Sequence, residues 1–581
     1  MLDPKASTTG TRSGLLGFVN DPRGWSGRRW AIGLLVAGST VILLLALRIR
    51  LPGLGGRPLG FDESFHSLAA LESPDLAHLR QAVIPQFQPL LDHLLRRFLW
   101  APILGGQELG IRLPAMLASL LAILATILTV AWGFLRSGRS HLQAVIAALA
   151  VGVWHAGYAQ DIGASGFARH YALTGCLSII WTGLFLFGQP ERWWKRFALV
   201  GLLFANTHFF ALAMIGSGYA LLAIEHLIQS RRKAALREIA VFLAVVLLTA
   251  AINWPALSAL LGKPIDPRSI GEAGAVFTAL GETRVLVERF WGFLDLPVMP
   301  AALWLLLVLA GGLTRALPLS YVARAGSLAC VAIPGLFFLG CLRSSYRLED
   351  RYFMPFLGLA PVLLALGALV LVHLGQKIIE RLWRDSGARL TGAAVLPLAA
   401  YLLVAGVRLA LLPGSLRAPE LPSQRAAFIE AMKRESQPVF LLASPCWTDS
   451  VVKLYWRSIG VRAPADRLQS ASQPGFEACV VGGFSPGSLA EQELKDFLAR
   501  FPDGIIALYQ HHLPCFRPRF EPPARVTTDG TDNTCLTILR GAASVEQARA
   551  TAVSVGYPAT IFQLLKQRQS PFENFRLLET Q

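Results

Sequence analysis

The main pattern in the chain is a series of apolar runs separated by short polar segments. About 20 apolar residues are enough for a helix to cross a bilayer. The runs recur at roughly 30–49, 111–134, 142–158, 168–188, 197–211, 212–227, 238–256, 299–314, 326–342, 353–373 and 391–412. This pattern predicts a polytopic α-helical membrane protein with about eleven transmembrane helices.

The positions of the basic residues predict the orientation of these helices. Arginines and lysines fall in every second connection, and the positive-inside rule places such loops in the cytoplasm together with the tail 1–29. The other face then receives 50–110, 159–167, the turn at His208, 257–298, 343–352 and everything after about 413. The runs 197–211 and 212–227 count as two spans, because a single span would put the later basic loops outside. No small-residue cleavage site follows the first run, so we expect an uncleaved helix.

The composition agrees with a membrane protein. Of the 581 residues, 53% are hydrophobic and 16% are charged, whereas soluble domains carry about 25% charged residues. The net charge of +17 comes largely from the loops between apolar runs. The topology therefore explains the charge, and we expect no nucleic-acid partner.

The composition changes beyond residue 413. Apolar stretches typical of strands occur at Val439–Leu442, Ala478–Val481, Gly504–Tyr509 and Cys535–Leu539, and helical stretches near 424–434, 449–458 and 488–501 alternate with them. The alternation predicts a small extracytoplasmic α/β domain over 413–581. Four of the seven cysteines lie there without metal-ligand spacing, and their pairing stays open.

The first outer loop, 50–110, is too long and too regular in its sequence pattern to be a linker. Two adjacent carboxylates, Asp62 and Glu63, follow the first span. The stretch Leu90–Trp100, with Pro89 in its first turn, predicts a short amphipathic helix at the membrane interface. Asp92 and Arg96 are spaced to pair within it. His66 lies one helical turn after Asp62 and could complete a metal site with it, but we expect a surface histidine with its hydrogen bonds satisfied.

The polar residues that suggest chemistry all fall on the outer side of this topology. Ionisable groups close to a membrane tend to be paired or functional. Arginine binds phosphate in a forked geometry, and a carboxylate can take a proton from a hydroxyl group. These residue types together suit a lipid-linked substrate that carries a phosphate.

Six short motifs, in order along residues 30–412, resemble the GT-C membrane glycosyltransferases. The similarity is to the branch that contains the dolichyl-phosphate-mannose protein mannosyltransferases and the aminoarabinose transferases. The motifs are Gly60-Phe61-Asp62-Glu63, Gln88-Pro89-Leu90, Arg112-Leu113-Pro114-Ala115, Tyr158-Ala159-Gln160-Asp161 continued at Arg169-His170-Tyr171-Ala172-Leu173, Thr207-His208-Phe209, and Arg351-Tyr352-Phe353-Met354-Pro355.

This resemblance implies transfer of a sugar from a polyprenyl-phosphate donor to a glycan, lipid or protein acceptor, with inversion at the anomeric carbon. It implies a site on the periplasmic face of a bacterial inner membrane. Asp62 and Glu63 are implied to form the catalytic pair, with Asp62 as the base. Arg169, Arg351 and Tyr352 are implied to bind the donor phosphate.

Four further residues are implied to position the substrate or to hold a divalent metal ion: Gln88, Asp161, Tyr171 and His208. The chain departs from the family pattern near them. Residues Ile162–Phe167 separate Asp161 from Arg169, and position 90 is leucine where the family has a second proline. Some relatives bind a metal through a glutamate ahead of this helix, where this chain has Gln86-Phe87-Gln88. The metal therefore stays open.

Two other classes of function fit parts of the pattern. A transporter or flippase of lipid-linked saccharides would place ionisable residues near the middle of broken helices, whereas these residues cluster at one face. A scaffold that binds the lipid carrier without catalysis would show the same motifs. Asp62 is necessary for the enzyme hypothesis and not sufficient for it.

Overall fold

A computed structural model of the chain describes residues in its apolar part and in its polar part. In the apolar part these are 25–54, 61–83, 88–104, 108–188, 190–261, 290, 292–294, 296–297, 300–329, 350–382 and 396–412. In the polar part they are 439–444, 468–470, 489–502, 504–511, 526–531 and 534–539. The predicted helices 424–434 and 449–458 and the predicted strand Ala478–Val481 lie outside the described residues.

The apolar part is helical. Its α-helices are α1 (Trp25–Arg50), α2 (Phe61–Glu72), α3 (Leu76–Ala82), α4 (Leu91–Leu94), α5 (Ala101–Leu104), α6 (Glu108–Arg136), α7 (His141–Ala156), α8 (Ala159–Ser165), α9 (Tyr171–Phe187), α10 (Pro190–Ala205), α11 (Ala211–Ile228), α12 (Arg232–Leu261), α13 (Ala301–Leu313), α14 (Leu359–Leu382) and α15 (Leu396–Leu411). Residues 319–329 are helical as well. Short 3₁₀ helices cover Leu51–Gly53 and Asp350–Phe356.

Five of the described helices are long and apolar enough to cross a membrane, and six if the bent pair α7–α8 forms one span. The five include α1, α6, α11 and α12, and the fifth contains α14. Shorter apolar helices are α9, α13 and α15. The predicted pair of spans around His208 is confirmed as two helices, because α10 ends at Ala205 and α11 begins at Ala211.

Burial distinguishes the centre of this bundle from its rim. In the span that contains α14, 94% of the most apolar 18-residue window is buried by protein, against 22% in α1 and in α12. Large apolar side chains such as Val41, Leu44 and Leu247 are exposed on these two outer helices. Exposed apolar side chains along two long helices are typical of a surface that faces lipid.

The predicted amphipathic helix Leu90–Trp100 differs in detail. Helix α4 begins at Leu91 with Leu90 as its N-cap, so Pro89 precedes the helix and does not lie in its first turn. The chain then continues as a π-helix over Leu95–Trp100. The predicted ion pair within it is confirmed, since Arg96 Nε lies 2.7 Å from Asp92 Oδ2.

Five strands are described in the polar part: β1 (Val439–Ser444), β2 (Leu468–Ser470), β3 (Ile505–His511), β4 (Val526–Thr531) and β5 (Thr534–Leu539). They form one sheet in the order β2-β1-β3-β5-β4. Val439 is opposite Leu468 and Ile505 in parallel register, and the pairs β3–β5 and β4–β5 are antiparallel. Helix α16 (Leu489–Arg500) lies in the connection to β3, as parallel pairing requires a crossover. The α/β domain as a whole stays a prediction.

Candidate functional site

Glu63 and Arg112 form a buried ion pair that joins the first outer loop to the bundle. Arg112 donates from Nε and Nη2 to the two carboxylate oxygens at 2.8 and 2.9 Å, and both side chains are fully buried. The backbone N–H of Ala168 donates to Glu63 Oε1 at 2.8 Å. Glu63 therefore holds the start of α2 against both α6 and the turn that leads to α9.

Asp62 is the second residue of α2, and its side chain lies outside the described residues. An acidic residue in the first turn of a helix is favoured by the helix dipole. Arg351 and Tyr352 belong, by their backbone, to the 3₁₀ helix Asp350–Phe356. Their side chains, like that of Asp62, lie outside the described part of the chain.

The 3₁₀ helix Asp350–Phe356 is fixed to α9 through Ser178. The hydroxyl of Ser178 donates to the carbonyl of Pro355 at 2.6 Å and accepts from the N–H of Gly358 at 2.9 Å. The backbone of Arg351 and Tyr352 is thus held relative to the helix that begins at Tyr171.

The expectation that His66 is a surface residue is wrong. His66 is fully buried, and its Nε2 donates to Asp92 Oδ2 at 2.6 Å. Burial lowers the pKa of His66, and the hydrogen bond to Asp92 opposes this in part. Burial alone would raise the pKa of Asp92, but the charge of Arg96 and the hydrogen bond from His66 outweigh it, so this pKa lies well below its usual value.

His66 is also one of four histidine rings that lie in a row. The ring centroids of His93 and His66 are 3.9 Å apart, those of His66 and His170 are 6.1 Å apart, and those of His170 and His208 are 5.3 Å apart. All four are buried. They come from α2, α4, the turn before α9 and the turn before α11, so the row joins four segments that are distant in sequence.

Arg169 and Tyr171 flank this histidine row. The guanidinium carbon of Arg169 lies 5.5 Å from the centroid of the Tyr171 ring, within the range of a cation–π contact. The Tyr171 ring is 4.4 Å from His170 and 6.4 Å from His208. His208 accepts the N–H of Phe210 at its Nδ1. Three of the predicted site residues, Arg169, Tyr171 and His208, therefore meet in one place.

Asp161 lies in a different network. Arg50 Nη2 donates to Asp161 Oδ2 at 2.9 Å, and both side chains are fully buried. Ser119 donates to the same oxygen, and Arg50 also donates to the carbonyl of Ala156 at 3.0 Å. The network braces the 60° bend between α7 and α8. The predicted insertion Ile162–Phe167 continues this short helix and its turn.

Gln88 lies just before a clasp of two asparagines. The N–H of Leu90 donates to Asn253 Oδ1 at 2.8 Å, and Asn253 Nδ2 donates to Asn206 Oδ1 at 2.7 Å. Asn253 has non-helical dihedral angles inside α12, two residues before Pro255, a usual cause of a kink. The clasp fixes the beginning of α4 and with it Asp92 and His93. The side-chain oxygen Oε1 of Gln88 is buried without a hydrogen-bond partner.

The donor groups do not favour a metal ion at the positions that the resemblance implies. Among the described residues, no group of three or more His, Cys, Asp and Glu side chains could hold one. The carboxylate of Asp161 is bound to Arg50 and Ser119. The carboxylate of Asp92 is bound to Arg96 and His66. No catalytic step is therefore assigned to a metal.

The sequence matches no protein-family model and no curated protein. Solved structures do align with it. ArnT from Cupriavidus metallidurans in the apo state aligns over 89% of this chain and 99% of its own, with 12% identity and a TM-score of 0.49. The same protein bound to undecaprenyl phosphate aligns over 90% and 99%, with 11% identity and a TM-score of 0.48.

A second similar protein is the oligosaccharyltransferase of Archaeoglobus fulgidus tethered with an acceptor peptide. It aligns over 84% of this chain and 70% of its own, with 12% identity and a TM-score of 0.42. Likeness at this level of identity does not extend to donor or acceptor.

Several residues of the site were missed in the sequence. Arg112 belongs to a quoted motif, but its partner Glu63 is 49 positions away. Arg50, which ends the first span, and His93, which follows Asp92, were also missed. The available clue was a polar residue in or beside an apolar run, because such a group requires a buried partner.

Proposed function

We propose that the chain is an integral membrane glycosyltransferase of the GT-C type, which moves a sugar from a polyprenyl-phosphate donor to an acceptor on the extracytoplasmic face. One observation carries the proposal: motif residues far apart in the sequence converge at one end of the bundle. Glu63, beside Asp62, is bound to Arg112 and to the N–H of Ala168, next to Arg169 and the cluster of Tyr171 and His208.

Asp62 acts as the general base in this proposal. Its carboxylate takes the proton of the acceptor hydroxyl while the acceptor oxygen bonds to the anomeric carbon. The bond from that carbon to the phosphate oxygen breaks, and the electron pair leaves with polyprenyl phosphate. Attack from the face opposite the leaving group inverts the anomeric configuration.

Glu63 is given a positioning role. Both of its oxygens accept hydrogen bonds from Arg112, and one also accepts from Ala168, so the carboxylate is engaged in holding α2. A fixed helix start keeps the neighbouring residue Asp62 in place, and fixed geometry is a large part of catalysis.

Arg169, Arg351 and Tyr352 receive the phosphate of the donor. Arginine neutralises the charge that develops on the departing phosphate. Arg169 is 9% exposed and lies against Tyr171, which pre-orients its guanidinium group. The carrier is of the same chemical class as the undecaprenyl phosphate named for the ArnT complex.

The proposed topology has about eleven spans, with the N-terminus in the cytoplasm. The first outer loop and the domain 413–581 lie on the other side, in the periplasm of a bacterial inner membrane. In this arrangement the C-terminal domain lies on the same face as the site and supports the outer loops or the acceptor. Transport or carrier binding without catalysis remains the rival hypothesis.

The test is sugar transfer from radiolabelled polyprenyl-phosphate sugars in membranes that contain wild type or Asp62→Asn at matched protein levels. We expect transfer by the wild type and a loss of at least about 100-fold in the variant, the usual contribution of a general base. Equal transfer by both proteins would remove Asp62 as the base. Movement of donor across the membrane without product would favour transport.

A further inference from the structure

Two tryptophans stack at the end of the bundle where α6 ends and α10 begins. The ring centroids of Trp132 and Trp193 are 5.7 Å apart, and the ring planes are 17° from parallel. Helices α6 and α10 also both pack against α9. Tryptophan is enriched at the interface between membrane and water, so the stacked pair marks the level at which the two helices reach the membrane surface.

Each ring of this pair carries an arginine. The guanidinium carbon of Arg136 lies 5.9 Å from the centroid of Trp132, and that of Arg196 lies 5.1 Å from the centroid of Trp193. A cation–π contact in this range helps to orient the guanidinium group, which still has N–H donors to offer to a further ligand. Both arginines are exposed, so such a ligand can reach them from outside the bundle.

The charge of this surface is positive when every residue of the two connections is counted. Residues 132–141 contain two arginines and no acidic residue, and residues 188–198 contain three basic residues and one acidic residue, Glu191. One of the basic residues, Lys195, has its Nζ 5.6 Å from the centroid of Trp194. The net charge therefore stays positive after Glu191 is included, and it favours an anionic ligand.

Exposed leucines continue from these arginines along the same helix faces. On α6, a spacing of four residues places Leu128, Trp132 and Arg136 on one face, and Leu128 is 52% exposed. On α10, Leu199 follows Arg196 by three residues and is 58% exposed. Each arginine thus lies at the end of an apolar strip, and a ligand that fits both has an anionic head and long apolar chains.

We propose that the stacked pair Trp132–Trp193, with Arg136 and Arg196, binds the headgroup of an acidic phospholipid, whose acyl chains lie along α6 and α10. The phosphate accepts hydrogen bonds from the forked guanidinium donors. In the proposed topology this end of the bundle faces the cytoplasmic leaflet, opposite the proposed site of sugar transfer. The inference goes beyond the proposed function and does not depend on it.

The test uses full-length protein in a neutral detergent and two probes, phosphatidylglycerol and phosphatidylcholine with the same acyl chains. Dissociation constants are obtained from the stabilisation that each lipid gives against thermal unfolding. We expect phosphatidylglycerol to bind at least about tenfold more tightly, a difference of about 1.4 kcal/mol, because it has no ammonium group to offset the charge of its phosphate. Equal binding of the two lipids would overturn the inference.

Charge-matched double variants separate a defined site from general attraction to a basic surface. Arg136→Gln/Arg196→Gln should abolish the preference for phosphatidylglycerol. Arg232→Gln/Lys233→Gln removes the same charge from exposed residues at the start of α12, on the same side in the proposed topology, and should keep the preference of wild type. Equal losses in the two variants would reduce the effect to the overall charge of this face and overturn the site.

A third variant tests the role of the guanidinium groups. Arg136→Lys/Arg196→Lys keeps both charges and removes both forks, so it should retain only part of the preference for phosphatidylglycerol. It also guards against misfolding, because it changes neither the charge nor the length of the side chains greatly. Affinity equal to that of wild type would overturn recognition through the forked donors.

Two further probes identify the source of the phosphate. Inorganic phosphate in large excess should leave phosphatidylglycerol bound, and displacement would assign the arginines to a free anion instead. Undecaprenyl phosphate should bind equally to wild type and to Arg136→Gln/Arg196→Gln, and a loss in the variant would assign these arginines to the carrier. Absence of carrier binding by the wild type would reject the proposed function and leave the phospholipid site standing.

Discussion

Glu63 and Arg112 meet through two parallel hydrogen bonds in an environment from which water is excluded. A guanidinium group and a carboxylate in this forked geometry form the strongest kind of ion pair that proteins use. Arg112 also donates to the carbonyl of Leu54 at 3.0 Å. The pair thus connects the end of the first span, the start of α2 and the start of α6.

Removal of one partner of this pair should destabilise the protein strongly. In Glu63→Gln, Arg112 would keep its charge in a buried position, and broken buried pairs cost about 3–5 kcal/mol. The measurement is the thermal unfolding midpoint in detergent or nanodiscs. Glu225→Gln is a matched control, because Glu225 and Arg324 form the same forked pair at 3.1 and 2.6 Å but are partly exposed. We expect a clearly smaller loss there, and equal losses would contradict the ranking by burial.

The pair of Arg50 and Asp161 should act as a structural brace. Arg50→Met and Asp161→Leu should each lower stability by about 3–5 kcal/mol, and the double variant should recover most of the loss because no buried charge remains. A double-mutant cycle of unfolding midpoints checks this. We expect sugar transfer by the double variant to stay within about tenfold of wild type. A tenfold change in rate corresponds to about 1.4 kcal/mol in the activation free energy. A complete loss of transfer in a folded double variant would return Asp161 to the catalytic site.

Stability should fall as the pH falls below neutral, and His66 should cause part of the fall. Its pKa in the folded protein lies below the usual 6.5, so the unfolded chain binds the proton first and unfolding is favoured below about pH 6.5. One such proton changes the unfolding free energy by about 1.4 kcal/mol per pH unit. Asp92, whose pKa is also lowered, adds to the loss only below about pH 4.

The check is the unfolding midpoint of wild type and His66→Gln between pH 7.5 and 5. The variant should start lower, because Asp92 loses a donor, and should lose less on acidification. Parallel curves for the two proteins would show that His66 binds its proton equally well in both states.

Gly358 should be intolerant of any side chain. A methyl group there would meet the carbonyl oxygen of Ser178 and the hydroxyl of Thr182, both at 2.5 Å. Gly358→Ala should therefore cost about 1–3 kcal/mol or more, and should reduce sugar transfer by shifting the backbone that carries Arg351 and Tyr352. Gly406→Ala in α15 meets nothing within 4 Å and should be neutral or stabilising by up to about 1 kcal/mol. Unfolding midpoints of the two variants give the comparison.

The sequence was most informative where a structural rule acts over a few residues. Most of the apolar runs overlap described helices, because the removal of apolar side chains from water favours the segments that cross a bilayer. The pairing of Asp92 with Arg96 followed from helical spacing and is confirmed. The turn at His208 followed from the charge rule, and α10 and α11 are separate helices.

The partners of the buried polar groups could not be read in the same way. The burial of His66 could not be predicted from local spacing, because its partner Asp92 lies 26 positions later. Arg50 and Asp161 are 111 positions apart. Such pairs depend on how helices pack, and many packings satisfy the same apolar pattern. The strands β2 and β4 were missed for a related reason, since short strands are defined by their neighbours in the sheet.

The π-helix over Leu95–Trp100 has a consequence for how this loop tolerates changes in length. A π-turn can be regarded as an α-helical turn that holds one residue more. Deletion of a residue such as Leu99, which is 42% exposed, can therefore be absorbed by a return to α-helical turns. A deletion inside α6 or α9 cannot be absorbed in this way, because it would rotate every later side chain of a buried helix. Of the elements that carry the site, the outer loop is the one in which homologous chains can differ by a residue without losing register.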